Sequence, residues 1–164
     1  MSKLASFDDL IQTEVQDLYS AEQQFLEALP SVAEAITDDE LRDAIEQHAT
    51  VTQRQIERLE EIARLLGVTL DGEKCIAAEA LIEEGRKLMQ AGGDPMVLDA
   101  ALIGAAQRME HYEIAGYGTL AALANRIGNS AAARLAAETL AEERGADELL
   151  TEIAERSVND AAAS

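Results

Sequence analysis

Tryptophan is absent from this chain, which has a single cysteine, two prolines and two phenylalanines in 164 residues. One cysteine excludes an intramolecular disulfide and fits a reducing compartment. No Cys-x-x-Cys pair is present, so no cysteine-ligated metal site is expected. Basic residues are scarce, with 13 Lys and Arg against 32 Asp and Glu and a formal net charge of −19. That balance argues against nucleic acid and anionic membranes as partners. No stretch approaches the ~18 uninterrupted apolar residues of a membrane span. The opening MSKLASFDDL lacks the apolar centre of a signal peptide, so a cytoplasmic protein is expected. Strand patterns, low-complexity tracts, phosphate-binding glycine loops and nucleophile–base arrangements are also missing.

What is plentiful is alanine, leucine, glutamate and isoleucine, a composition that favours helix. Ser6 with Asp8 and Asp9 reads as a helix start. Leu4, Phe7, Ile11, Val15, Leu18, Phe25 and Leu29 then recur at helical spacing. Pro30 either kinks this helix or opens a short continuation through Ile36. Thr37-Asp38-Asp39-Glu40 caps a second helix, and Gly67 ends it. A long connection follows, carrying a short helix from about Ile76 to Gln90. Pro95 opens a third long helix to about Arg126, and Gly128-Asn129-Ser130 turns the chain into a fourth, from about Ala131 to Arg156.

Two helical hairpins joined by a long crossover predict an all-α, ferritin-like four-helix bundle, with the crossover carrying a short extra helix. An up-down bundle with residues 76–90 as a fifth member is the alternative. Residues 1–158 form the expected single domain, and 159–164 a frayed tail.

Turning each helix at 100° per residue shows which polar side chains share the apolar stripe. In the third long helix, Glu113 falls within about 20° of the stripe's middle and Glu110 within about 50°, whereas His111 lies on the opposite face. In the fourth, Glu143 is near the centre and Asp147 lies one turn on, while Glu138 and Glu142 point away. Glu22 lies inward on the first helix, Glu14 sits nearer the edge, and Asp17 faces out. On the second helix, His48, Thr52 and Gln55 form an inward polar line, and Thr52 and Gln55 have each other as available partners.

Folding the hairpins puts Glu22 opposite His48, Glu113 opposite Glu143, and Glu110 near Asp147. If the crossover returns the chain to the far end, these heights coincide at the waist of the bundle. Several carboxylates in one dry layer repel strongly unless protonated or neutralised, and two divalent cations would neutralise them. Carboxylates with an imidazole suit iron or manganese better than zinc. The expected metal ligands are Glu14, Glu22, His48, Glu110, Glu113, Glu143 and Asp147. Cys75 reads as a packing residue or free thiol. Tyr19, Tyr112 and Tyr117 read as packing residues, hydrogen-bond donors or radical relays.

TEVQDLYSAEQQFLEALP (13–30), His48 with Thr52 and Gln55, GEKCIAAEALIEEG (72–85), DAALIGAAQRMEHYEIAGYGTL (99–120) and ETLAEERGADELL (138–150) span nearly the whole chain. On these stretches the sequence resembles the YciE/YciF-type ferritin-like proteins of bacteria, distantly rubrerythrin-like. The resemblance implies a ferritin-like bundle, a dinuclear metal site, a homodimer and a link to stress responses. The wider rubrerythrin and ferritin pattern has Glu-x-x-His on the second and fourth helices. Here Ile45 precedes His48 at that spacing, and Ala146 follows Glu143, so the site is lopsided and short of nitrogen ligands. Three readings of function follow. The first is an iron or manganese protein reacting with peroxide or oxygen, the second a metal-sequestering protein, and the third a structural or partner-binding bundle.

Overall fold

The computed structural model describes residues 4–164. Residues 1–3, the start of the expected domain, lie outside the described residues. The long helices are α1 (Phe7–Ala35), α2 (Asp39–Leu66), α4 (Pro95–Arg126) and α5 (Ser130–Ile153), and α3 (Ile76–Ala91) lies in the crossover.

Each helix begins where its sequence supplies an acceptor for the first free backbone N–H groups. Ser6 and Asp9 form a reciprocal capping box, the Ser6 Oγ accepting from Asp9 N at 3.1 Å and Asp9 Oδ2 from Ser6 N at 2.8 Å. Asp38, Cys75, Asp94 and Asn129 cap the next four helices. Gly67 closes α2 at φ 70°, a conformation a side chain would strain. Pro30 does not divide α1, which runs on to Ala35; the proline is exposed, where the carbonyl it leaves unpaired can meet water. Leu4 precedes the helix and, like Phe7, is exposed rather than part of the stripe.

α1 packs on α2 and α4, and α5 packs on α2 and α4. One apolar cluster joins Leu29 of α1, Leu41 of α2, Leu102 of α4 and Ile153 of α5. The other joins Val15, Ile62, Ala124 and Ala132 of the same helices. The first therefore collects the end of α1 and the starts of α2 and α4, so α2 and α4 run parallel. A parallel pair needs a crossover, and α3 provides it by travelling back along α1 and α4, with Cys75, Ala78 and Ile82 in the first cluster. This is the ferritin-like connection rather than an up-down bundle. Close approach of α4 to α1 depends on Gly116, where an added Cβ would stand 2.5 Å from Leu18 Cδ2.

Two details differ from the sequence expectation. Residues 159–164, expected as a frayed tail, include a last helical turn, α6 (Asn159–Ala162), reached through a wide π turn (Ala154–Val158) that buries Val158. Asp99, unremarkable in the sequence, is buried on α4 and holds the α1–α2 turn. Its carboxylate accepts from Thr37 N at 3.0 Å, Thr37 Oγ1 at 2.6 Å and Asp38 N at 2.8 Å. Asp99→Ala leaves those donors unpaired. A loss of about 2–4 kcal/mol is expected, read as a fall of about 5–15 °C in melting temperature.

Candidate metal centre

The apolar interior is interrupted by a polar layer. Along α4, Met109 belongs to one apolar cluster and Tyr117 to the other, and Glu110 and Glu113 lie between them. On α2, Ile45 and Leu59 bracket His48, Thr52 and Gln55. On α5, Ala136 and Leu150 bracket Thr139 and Glu143. Glu22 of α1 completes the layer beside Ala21. Glu22 and Glu143 are 0 % exposed, and Glu110 and Glu113 2 %.

His48, Glu110, Glu113 and Glu143 each bring one ligand atom to within 4.8 Å of the others. His48 Nε2 lies 3.4 Å from Glu110 Oε1 and 3.8 Å from Glu143 Oε2. Glu22 adjoins Glu113 and accepts a hydrogen bond from the Tyr117 hydroxyl. The amide of Gln55 donates to Glu143 Oε1, and to Glu142 Oε2 at 3.2 Å. After these bonds, Glu22 Oε2, Glu110 Oε2 and Glu143 Oε2 are buried without a hydrogen-bond donor. Native structures seldom leave such oxygens unpartnered.

The electrostatics follow from this burial. Desolvation, opposed by the Tyr117 hydroxyl and helped by the Glu143 charge, pushes Glu22 up to about 8. Glu110 is raised well above the carboxylate range by burial first and by Glu143 beside it second. Glu113 is raised in the same way by burial and then by the charges of Glu22 and Glu143. Burial lowers His48, favouring the neutral imidazole that a metal requires.

Three expected ligands stand outside this cluster of four: Glu22, which adjoins it through Glu113, and Glu14 and Asp147, which are held elsewhere. Glu14 lies about two turns before Glu22, half-buried, with its pKa raised by burial and by Asp17. Asp147 turns to Gln107, whose Nε2 donates to its Oδ1 at 3.0 Å, and to His111 at 3.5 Å. His111 is exposed, as its place on the helix predicts. Thr52 and Gln55 do not pair with each other. Thr52 donates to the His48 carbonyl at 3.0 Å, and Gln55 serves the acids of α5.

Three polar arrangements were not evident from the sequence. Glu142, expected to point away, is clasped by Arg58, whose Nη1 and Nη2 reach its two oxygens at 2.7 and 3.0 Å. Burial would raise Glu142, but the Arg58 hydrogen bonds and charge hold it lower. Asp17 does not face solvent; it accepts from the Tyr112 hydroxyl, which also meets Cys75 Sγ at 3.1 Å. Cys75 itself is buried as the cap of α3. These pairs join separate helices, so no spacing within one element reveals them.

The donor set fits a cation. Buried carboxylates with unpartnered oxygens beside an imidazole are groups that could hold a metal ion. The fold and this layer define the class: a ferritin-like helical bundle with an acid-lined interior able to hold a metal ion. Residues 6–163 match the family described as Domain of unknown function (DUF892). The chain belongs to that family, the YciE/YciF-type proteins. It is 41% identical to Protein YciF of Escherichia coli (strain K12) over 157 residues, 95% of each chain. It also matches the crystal structure of the E. coli stress protein YciF with a TM-score of 0.91, covering 94% of this chain and 98% of that one. YcfI from Rhodopseudomonas palustris, for which a structural role is suggested, is 38% identical with a TM-score of 0.87, covering 91% and 95%. Among the described residues, no helix is long and apolar enough to cross a membrane.

Proposed function

We propose that this chain is a cytoplasmic, stress-associated metalloprotein whose buried layer holds two iron or manganese ions and reacts with peroxide or oxygen. The observation that carries the reading is the pair of unpartnered oxygens on Glu110 and Glu143 beside His48, with a third on Glu22 next to Glu113. Glu22, His48, Glu110, Glu113 and Glu143 are the ligands in this reading. A metal bound there would supply the redox chemistry. The protein's part is positional. Tyr117 fixes one oxygen of Glu22 and Gln55 one oxygen of Glu143, so the second oxygen of each is left for a cation. Arg58 pairs with Glu142, which offsets part of the negative charge that Glu142 adds beside His48. A homodimer belongs to the same reading, as does an external reductant, since the sequence has no Cys-x-x-Cys pair.

The test is consumption of hydrogen peroxide by protein loaded with ferrous or manganous ion. Loss of peroxide at a rate well above that of free metal is expected, with a fall of at least tenfold in Glu113→Ala. Retained metal with no peroxide loss would replace this function with sequestration. The structural role suggested for the R. palustris relative favours a third reading, a scaffold whose polar layer fixes helix register. That reading predicts neither retained metal nor peroxide loss.

A further inference from the structure

The polar layer is sealed on most sides. Glu22, Glu113 and Glu143 lie under the packed faces of the four helices, and only His48 keeps a side chain as much as 12% exposed beside them. On that side α2 and α5 separate around a cleft of about 230 Å³. His48 and Glu110 line its inner end. Its walls are apolar, chiefly Ile45, Val51, Ala146 and Leu149. Leu149 is 39% exposed at the rim. Gly145 also lines the cleft, and a Cβ there would meet nothing within 4 Å. Larger hollows of 540 and 460 Å³ lie against the connection before α3 and one of 490 Å³ against the α4–α5 turn, and none of them touches the buried acids.

We propose that this cleft is a binding site for a small uncharged molecule with an apolar body and a single polar head, seated with its head at His48 and Glu110. The volume is below the usual range for drug-sized ligands, which limits the occupant to roughly ten heavy atoms. Apolar walls favour an apolar body. In the metal-free chain the head meets an imidazole nitrogen and a buried carboxyl, both able to hydrogen-bond a hydroxyl-type group. Anions are disfavoured, because the carboxylates of Glu110 and Glu142 line the cleft and the Arg58 guanidinium is already engaged by Glu142. Alkyl hydroperoxides and alcohols belong to the favoured class; carboxylates and phosphates do not. That the occupant is the co-reactant of the metal centre rests on the function proposed above, whereas its binding to the cleft does not.

The test uses the metal-free full-length chain with methyl-labelled Ile, Val and Leu, titrated separately with benzyl alcohol and with benzoate, a neutral and an anionic probe of similar size. Saturable shifts at the methyl groups of Ile45, Val51 and Leu149 are expected with benzyl alcohol, and binding at least tenfold weaker with benzoate. Gly145→Leu fills the cleft and weakens benzyl alcohol at least tenfold, while Gly145→Ala retains binding. The comparison of the two probes needs no variant, so it decides even if Gly145→Leu fails to fold. Equal binding of both probes, shifts centred elsewhere, or no saturation overturns the proposal. Binding that fades as protein concentration rises overturns it too, since a second copy would then cover the cleft. Failure of the protein to retain metal leaves these outcomes unchanged and bears only on the proposed function.

Discussion

Glu113→Gln raises the melting temperature of the metal-free protein and removes the stabilisation that iron or manganese gives the natural chain. The two effects have one origin. Glu113 is buried among Glu22, Glu110 and Glu143, and its carboxylate form is opposed by burial and by those neighbours. An amide of the same shape carries no charge and brings donors to acceptors that have none. A gain of about 1–3 kcal/mol is expected without metal, or roughly 3–10 °C. With metal the order inverts. A cation bound only by the folded state stabilises it by about 4 kcal/mol when present at a thousandfold excess over its dissociation constant. The natural chain therefore gains roughly 8–16 °C, while the variant, with a ligand removed, gains little. Thermal unfolding of both proteins with and without ferrous or manganous ion checks this. A variant less stable than the natural chain in both conditions would mean that Glu113 acts as an ordinary structural residue.

The metal-free protein also loses stability as pH rises from 5 to 8. Glu22 holds its proton up to about 8 in the folded chain, against 4.5 for an unperturbed glutamate. Between those values the folded state binds more protons than the unfolded one. Stability is therefore fullest below 4.5 and is lost as pH rises through 8. Glu110 and Glu113 are shifted the same way and add to the effect. His48, lowered by burial, opposes it with a single group. Glu22 alone corresponds to roughly 3–5 kcal/mol across the window, or about 10 °C. Metal reverses the slope, because the ligands bind it deprotonated and bind it more tightly as pH rises. Melting temperatures at pH 5, 6.5 and 8, with chelator and with metal, give the two slopes. Parallel slopes would mean that no cation replaces the protons.

The long helices were legible because their signals are local. Ser6, Asp38, Asp94 and Asn129 mark starts, and Gly67 and Gly128 mark turns, at positions that side-chain chemistry fixes within a few residues. The inward acids were legible for the same reason, since a glutamate within a 100° apolar stripe announces itself. Glu14 and Asp147 stand apart from the cluster because the rotation about a helix gives a direction, not a partner. Asp147 lies within reach of Gln107 and His111 on α4 and turns to them. Glu142 and Asp17 pointed outward on their own helices, yet each meets a side chain on a neighbouring one, Arg58 and Tyr112. Such meetings depend on how helices pack, and periodicity within one helix carries no record of them. Asp99 escaped notice because the backbone groups it holds lie about sixty residues earlier in the chain.

The most direct measurement is the metal content of the chain after reconstitution with ferrous or manganous ion and gel filtration, beside Glu113→Ala treated identically. Two ions per natural chain, and a loss of most of that metal from the variant, is the result the buried acid layer predicts. Equal and negligible metal in both, with the natural chain no less stable after exposure to chelator, would show that the acids carry protons rather than cations.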